Sequence, residues 1–433
     1  MASSSQKHSW SAKRDIILLI EKSSSETIEA IRAYEKKHKK RYRVLLLCEK
    51  KNYKEPIIQT TEQPDQVIFC RFDSEKSIRE ALRPFEEHLL AVTCRGEANI
   101  VKFRAMIPHV PYLRTPTAES LLWSTDKLEM RRALRQYDPS ISPLYTLVSG
   151  YEKKDVEKIT KKISFPVMIK PTGLAQSLLV SICFHEQELQ KFLQKTFRSI
   201  KKSYREAKRT ETPQVLVEEF MEGPMYSVDG YVNSRGRVIF CPLVYIKTGR
   251  TICFDDFFGY QQMTPTTLSQ KSIFDAHVVA KKSIKALGLR NTTVHIELIK
   301  SDDGWKIVEV GARIGGFRPT LYELTYGIPH SLNDVLNRIP RKLVLPKKQK
   351  GFAAAMKFFA KKEGKLISLK GIKKAEHLAS FHSIKINKQL GDRCKFAKNG
   401  GVSVFNITLF HKNRSELLAD IRRLEQMIEI KTK

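Results

Sequence analysis

The N-terminal part of the chain alternates short apolar runs with longer segments of mixed polarity. This pattern predicts, in order, strand, helix, strand, strand and helix at residues 15–21, 25–40, 43–48, 66–72 and 77–88. Such alternation favours a parallel sheet covered by helices. Ser23, Ser24 and Ser25 stand between the first strand and its helix, where a dinucleotide-binding fold would carry a glycine-rich turn. That fold is therefore not supported by this route.

The middle of the chain predicts a separable block. Residues from about 145 to 225 have the pattern of strand, helix, strand, helix and strand, with a strongly basic helix at 195–209. Ahead of this block, Asp126 is expected to cap the N-terminus of a helix, with Glu129 three positions later. Beyond residues 340–346, a last region of mixed strands is predicted to end in a helix around 414–427.

Two aliphatic runs flank a polar turn at residues 300–304 and predict a β-hairpin. If Asp303 is the pivot of an odd-length loop, paired residues have numbers that sum to 606, and Glu297 faces Glu309. Side chains alternate along a strand, so Glu297, Glu309 and Arg313 would then share one face. A two-residue turn would break this pairing, because the sum would become odd.

Two opposed carboxylates repel each other at roughly 5 Å unless a positive group lies between them. Magnesium prefers oxygen ligands of this kind, and a neighbouring arginine such as Arg313 can hold phosphate oxygens. The pair therefore indicates a candidate metal site at Glu297 and Glu309. The alternative is a solvent-facing hairpin whose two acids are incidental.

Composition limits the class of protein and its partners. A chain of 433 residues can bury a large core and predicts two or three domains. The formal charge of +31 favours polyanionic partners such as nucleotides, nucleic acid, acidic proteins or anionic lipid. Seven scattered cysteines argue against a zinc site or a disulfide framework and suit small buried side chains in a reducing compartment. With no apolar run long enough to span a membrane, we expect a cytoplasmic protein with a disordered tail at residues 1–14.

Two further segments carry candidate nucleotide-binding groups. Lys170 ends a buried strand, and the loop that follows, from Gly173 to Ser177, could wrap phosphates with N–H groups and hydroxyls. A second strand leads into a Gly-Pro turn at 223–224, where an adenine could bond to the main chain. Taken alone, the first segment favours a solvated lysine and the second favours an edge strand with exposed acids.

The order and spacing of these motifs resemble those of the ATP-grasp superfamily. The motifs are Asp126-Lys127, the strand at 166–171, the segment 218–224, and Glu297 with Glu309 and Arg313. The sequence from Gly311 to Gly316 is most similar to that of L-amino-acid ligases and related carboxylate–amine ligases. The resemblance implies an α/β (α+β) ATP-grasp fold. Its expected parts are a Rossmann-like domain at 15–112, an ATP-grasp domain at 113–345 with a mobile lid at about 145–222, and a mixed C-terminal domain at 346–433.

The resemblance also implies roles for single residues. Lys127 and Lys170 would contact ATP phosphates and the edge of the adenine pocket, and the loop through Gly173 and Ser177 would cover the phosphates. The adenine clamp would consist of Glu218, the main chain of Glu219 and Met221, and the ring of Phe220. Glu297 and Glu309 would hold Mg²⁺ or Mn²⁺, and Glu309, Arg313 and Lys170 would serve catalysis. Arg318 could pair with a substrate carboxylate and Phe317 could wall the substrate pocket, unless both are structural.

Some positions depart from the family pattern. Met225 stands where an acid usually contacts the ribose, Ala175 and Leu179 replace usual glycines of the covering loop, and Gly311 replaces an asparagine that can bind metal. These changes put the strength of ATP binding in doubt. Glu222 is an alternative acceptor for the ribose.

The resemblance implies an ATP-dependent ligase that activates a carboxylate as an acyl phosphate and couples it to an amine. Its expected substrates are small molecules, with no membrane partner, and a homodimer is compatible with it. One alternative is the same chemistry on an acidic carrier protein. Another is a non-catalytic nucleic-acid-binding protein on the same scaffold, supported by the net charge and the basic runs at 36–41 and 199–209. Those runs lack interleaved aromatic residues and match no nucleic-acid-binding module.

Overall fold

The computed structural model describes residues 14–53, 62–174, 177–206 and 211–433. Within those ranges the strands form four sheets. The predicted tail lies outside the described residues except for Arg14. No helix in the described part of the chain has both the length and the apolar character needed to cross a bilayer.

The N-terminal sheet is parallel, with strand order β3-β2-β1-β4, as the alternating pattern predicts. Its elements are β1 Ile16–Ile20, α1 Ser25–His38, β2 Arg43–Cys48, β3 Gln66–Phe69, α2 Glu75–Leu82, β4 Leu89–Cys94 and α3 Ile100–Met106. The second helix is shorter than predicted. Pro84 lacks the N–H that would continue the helical ladder, so the chain turns into a short 3₁₀ segment after Leu82.

Both faces of this sheet are covered, which explains why β1 is apolar at every position. Leu18 and Ile20 pack into the large core shared with the central sheet, whereas Ile17 and Leu19 pack against Ile28 of α1. Six of the seven cysteines are buried, as expected, and Cys253 is exposed.

A second sheet, here called the lid sheet, has strand order β5-β8-β6-β7 and antiparallel pairing. It follows two helices of the N-terminal half, α4 Ala118–Trp123 and α5 Lys127–Tyr137. Its elements are β5 Tyr145–Val148, α6 Lys153–Thr160, β6 Val167–Pro171, β7 Ser181–Cys183, α7 Glu186–Glu206 and β8 Val215–Glu219. The predicted pattern is confirmed, but the short strand β7 was missed. As predicted, Asp126 caps α5 by accepting from the N–H groups of Leu128 and Glu129.

The central sheet has the order β14-β13-β9-β11-β12-β15-β19-β17, and β10 pairs with β9. Its first strands and the helices packed on them are β9 Met225–Val232, β10 Val238–Phe240, β11 Val244–Thr248, β12 Gly259–Thr264, α8 Gln270–Ala286, β13 Thr292–Ser301, β14 Gly304–Gly311, α9 Arg318–Tyr326 and α10 His330–Arg338. The hairpin of β13 and β14 forms one edge of this sheet.

The strands of the C-terminal region are divided between the central sheet and a small sheet of their own. Its elements are β15 Phe352–Phe358, β16 Gly364–Lys370, α11 Ile372–Ala375, β17 Phe381–Ile386, β18 Arg393–Cys394, β19 Phe405–His411, α12 Arg414–Met427 and β20 Glu429–Thr432. Three of these strands (β15, β17 and β19) extend the central sheet, whereas β16, β18 and β20 form a small separate one. The central sheet therefore continues across the predicted domain boundary at residue 346. The last helix spans the predicted residues.

Candidate active site

The hairpin pairs Glu297 with Glu309, as predicted, but by a different route. The turn is two residues long, because Ser301 pairs directly with Gly304. The predicted odd-length loop is therefore wrong. A register shift between Glu297 and Leu298 restores the pairing, since Leu298 faces Ile307 and Glu297 faces Glu309. The extra residue in β14 is a β-bulge, a feature that re-aims side chains near functional sites.

The two acids lie beside positive groups. His295 Nε2 is 3.4 Å from Oε1 of Glu297. Burial tends to raise the pKa of Glu297, but the contact with His295 and the field of Arg313 outweigh burial and lower the pKa. Burial tends to lower the pKa of Arg313, whereas Glu97 and the two hairpin acids raise it. Arg313 is therefore held as a cation beside the acid pair.

The direct partner of Arg313 is a residue that the sequence did not indicate. Arg313 Nε donates to Oε2 of Glu97 at 2.6 Å, and its Nη1 donates to the carbonyl of Ile314. Glu97 follows β4 in the N-terminal part of the chain, 216 residues away along the sequence. This ion pair joins the N-terminal sheet to the acid hairpin.

The acid pair suits a metal ion that is delivered with a nucleotide. Among the described residues, no cluster of three or more His, Cys, Asp or Glu side chains is arranged to bind a metal. Glu297 and Glu309 are hard oxygen donors, and Mg²⁺ is commonly held by one or two carboxylates together with substrate phosphates and water. The donor set thus fits magnesium bound to a nucleotide better than a cage made of protein alone.

Behind Glu297 lies a buried hydrogen-bond network centred on Asp229. Its Oδ1 is 2.7 Å from Nδ1 of His295, and its Oδ2 is 2.9 Å from Nε2 of His330. The N–H of Gly315 donates to the same carboxylate at 2.8 Å. Burial tends to raise the pKa of Asp229, but the histidines outweigh it and keep the pKa well below its usual range. The network fixes the ring of His295, and His295 in turn contacts Glu297.

Arg318 does not lie free in the site. It is 1% exposed, and its guanidinium donates to Oε1 of Gln262 at 2.6 Å and to Oγ of Ser227 at 2.5 Å. A substrate carboxylate could reach it only if these bonds were exchanged. The guanidinium of Arg318 is therefore not accessible to a substrate in this structure. Phe317 has φ of +59° and caps α9, and its ring lies 5.6 Å from Nζ of Lys357. Lys357 belongs to β15 and was not predicted.

Glu218 is not exposed at all and lies in an ion cluster. Arg131 donates through Nε and Nη2 to its two carboxylate oxygens at 2.8 and 3.1 Å, and Lys170 Nζ donates to Oε2 at 2.7 Å. Burial opposes ionisation, but the two cations lower the pKa of Glu218 to about 2. Both carboxylate oxygens of this member of the predicted adenine clamp are thus engaged by protein cations. Arg131 was not predicted.

The rest of the predicted clamp runs along the end of β8. Glu219 accepts from Nζ of Lys306 at 3.1 Å, and the N–H of Phe220 donates to the carbonyl of Pro166. Met221 is 7% exposed, and its N–H has no hydrogen-bond partner among the residues that the structure describes. That N–H is a main-chain donor of the kind expected to bind an adenine.

The predicted covering loop is anchored at both ends. Lys127 Nζ donates to the carbonyl of Leu174 at 2.6 Å, and the N–H of Gly173 donates to the hydroxyl of Tyr204. After Ser177, whose φ is +61°, the N–H of Leu179 donates to the carbonyl of Lys398. Ala175 and Gln176 lie outside the described residues. Lys127 therefore contacts the loop at its base.

The structure brings the lid-sheet residues and the acid hairpin together. Arg131 Nη2 also donates to the carbonyl of Val308, which lies in the bulged part of β14. Lys306, on the same strand, binds Glu219. By contrast, a cavity of about 820 Å³ beside β5, lined among others by Tyr145, Lys158 and Phe197, includes none of the predicted site residues.

Comparison with known proteins identifies the central part of the chain. Residues 163–320 match the ATP-grasp domain. The uncharacterized protein y4rH of Sinorhizobium fredii is 24% identical over 276 residues, which is 63% of this chain. The chain matches only 53% of the length of that relative.

Several solved structures share the fold across nearly the whole chain. L-amino acid ligase from Bacillus licheniformis is 16% identical, with a TM-score of 0.77 over 98% of this chain and all of that one. Phosphoribosylglycinamide synthetase from Anaerococcus prevotii is 18% identical, with a TM-score of 0.66 over 97% of this chain and all of that one. N5-carboxyaminoimidazole ribonucleotide synthetase from Thermotoga maritima is 16% identical, with the same TM-score and coverage. The chain therefore has the ATP-grasp fold, and residues 163–320 are the part that matches the model of the ATP-grasp domain.

Proposed function

We propose that this protein is an ATP-dependent carboxylate–amine ligase that releases ADP and phosphate. The observation that carries the proposal is the opposition of Glu297 and Glu309 beside the cationic Arg313. This arrangement suits a nucleotide with its divalent ion. The strand that carries Glu309, β14, is also bonded to Glu219 of the lid sheet through Lys306. The ligases of similar fold give the proposal its reaction class.

The nucleotide would lie between the lid sheet and the hairpin. The N–H of Met221, which has no partner among the described residues, would bind the adenine edge, and Lys170 would face the phosphates from β6. Lys127, at the base of the covering loop, would contact phosphate when the loop rearranges. Glu218 would act indirectly in this scheme, because its carboxylate positions Lys170. The ion held by the acids would neutralise charge on the phosphates.

The chemistry would proceed in two transfers. A carboxylate oxygen of the first substrate attacks the γ-phosphorus of ATP, the bond to ADP breaks, and an acyl phosphate forms. The amine of the second substrate, as the free base, then attacks the acyl carbon, and the amide forms as the bond to phosphate breaks and phosphate leaves with the proton that the amine gives up. Arg313 would stabilise the charge on the phosphoryl oxygens during the first transfer.

The acyl phosphate must be protected from water, because hydrolysis would waste ATP. The loop from Gly173 to Leu179 suits this task, since its far end bonds to Lys398 of the C-terminal region. The loop would thus close the site from the lid side while the C-terminal region holds it from the other side.

The proposal is tested by supplying the purified protein with MgATP and pairs of amino acids and measuring ADP, phosphate and the coupled product by mass spectrometry. We expect at least one pair to give ADP and amide in equal amounts. Absence of ADP formation with every pair, together with no binding of MgADP, would refute a ligase.

A further inference from the structure

Lys357 reaches the candidate active site from a strand that the sequence assigns to the C-terminal region. In β15, residues 353, 355 and 357 lie on one face of the strand, and Ala353 and Ala355 belong to the same core cluster as Leu321 and Tyr322 of α9. Lys357 follows them along this face. Its Nζ lies 5.6 Å from the ring centroid of Phe317, the residue directly before α9.

The pairing of the central sheet places Lys357 on the same face as the acid pair. Gln262 pairs with Ala355, and Ser227 pairs with Glu297. Arg318 bonds to both Gln262 and Ser227, so these two side chains point to one side of the sheet. Paired residues share a face, and Lys357 shares the face of Ala355. Lys357 and Glu297 therefore face the same space, consistent with their electrostatic attraction.

Lys357 has no hydrogen-bond acceptor or ion-pair partner among the described residues, although its side chain is partly buried. Contact with the ring of Phe317 offsets only part of its desolvation, because a cation over a phenylalanine ring gains little compared with a full ion pair. Arg318 repels it, and Glu297 is the acid that attracts it from a distance. A partly desolvated ammonium in this position is suited to an anionic ligand.

There is also space beside Lys357 for a ligand. Gly316 directly precedes Phe317, and a Cβ at Gly316 would meet no atom within 4 Å. A Cβ at the adjacent Gly315 would instead overlap Nδ1 of His295 and approach Cγ of Arg318. The open side of the Gly-Gly turn thus faces away from the packed network, whereas the other side is filled.

We propose that Lys357 binds the carboxylate of the amine substrate, so that the amine is supplied by an amino acid and is held by the C-terminal region. The inference rests on the proposed function. The carboxylate that is phosphorylated must lie at the acid pair and Arg313. A second carboxylate that keeps its charge needs a different cation, and Arg318 is already bonded within the protein. Lys357, on this face, pairs with no acid among the residues that the structure describes.

The experiment measures binding of each of the twenty L-amino acids to the MgADP complex, by calorimetry, and repeats it with the carboxamide of every amino acid that binds. The variants are Lys357→Met, Lys357→Arg and, as a matched control, Lys361→Met, which removes an exposed lysine just beyond the same strand. We expect Lys357→Met to weaken amino-acid binding about tenfold or more, Lys357→Arg to restore part of it, and the carboxamides to bind both proteins equally. Lys361→Met should behave as the unchanged protein.

Two results would overturn the role of Lys357: no amino acid binds the unchanged protein, or Lys357→Met weakens acid and carboxamide to the same extent. A loss of folded protein in Lys357→Met is detected by its melting curve, and Lys357→Arg then decides the question by its preference for acid over carboxamide. If amino acids bind through Lys357 but no ADP is released with any pair, the ligase proposal fails and the carboxylate site stands.

Discussion

Arg131 and Glu218 form a two-point ion pair in the interior, with distances of 2.8 and 3.1 Å and side chains that are 1% and 0% exposed. The same guanidinium donates to the carbonyl of Val308. Helix α5, the lid sheet and the bulged strand of the hairpin therefore meet at one arginine. This arginine thus ties the acid hairpin to the lid sheet.

Replacing Arg131 by Met should destabilise the protein by about 3–5 kcal/mol, because the change leaves the buried Glu218 with Lys170 as its remaining ionic partner. The measurement is the free energy of unfolding in urea. Arg132→Met is the matched control, since Arg132 lies next in the chain but is exposed and pairs with the surface residue Glu129. Equal stability of the two variants would contradict the importance of the junction.

Stability should depend on pH through Glu218. Its pKa is about 2 in the folded protein, below the ordinary value of 4.5. Stabilisation by the ionised carboxylate is therefore present above pH 4.5 and is lost as the pH falls through the folded pKa. The difference in unfolding free energy between the protein and Glu218→Gln should shrink by about 3 kcal/mol between pH 5 and pH 2. A difference that does not change with pH would show that the carboxylate is not held ionised.

Replacing each of the two glycines before Phe317 by alanine should affect stability differently. Gly315→Ala inserts a methyl group against His295 and, at 2.7 Å, against Cγ of Arg318, so we expect a loss of about 1–3 kcal/mol. Gly316→Ala meets open space and should leave the melting temperature unchanged. Thermal unfolding of both variants checks this. A larger loss in Gly316→Ala than in Gly315→Ala would mean that the turn is packed differently.

The parts of the site that depend on the alternation of side chains along a strand were predictable from the sequence. The opposition of Glu297 and Glu309 followed from alternation, although the odd-length loop was wrong and a bulge supplied the missing residue. The bulged residue, Val308, accepts a hydrogen bond from Arg131 of α5, a contact between residues 177 positions apart that a local pattern does not contain. The α12 boundaries were predictable because local apolar periodicity sets them.

The missed residues all act across long distances in the chain. Glu97 meets Arg313 from 216 residues away, and Asp229 meets His295 and His330 from 66 and 101 residues away. Lys357 was missed because nothing near it in the sequence indicates that β15 joins the central sheet. These contacts depend on the order of strands in the sheets, which local sequence patterns do not reveal.

Arg313 should affect turnover more than binding. If it stabilises the transferred phosphoryl group, Arg313→Met should lower kcat by about 100- to 1,000-fold while MgADP binding changes little. Glu97→Gln should have a smaller effect, because it only removes the partner that orients Arg313. Arg290→Met, at an exposed arginine, is the control. Full turnover in Arg313→Met would contradict a role in phosphoryl transfer.

The most direct test of the account is magnesium-dependent binding of ADP, measured by titration calorimetry with and without Mg²⁺. The unchanged protein should bind ADP more tightly when Mg²⁺ is present, and Glu309→Gln should lose that difference because one of the two opposed carboxylates is neutral. Asp303→Asn, at the exposed turn of the same hairpin, should retain it. An undiminished magnesium effect in Glu309→Gln would contradict the claim that the paired acids hold the metal of the nucleotide.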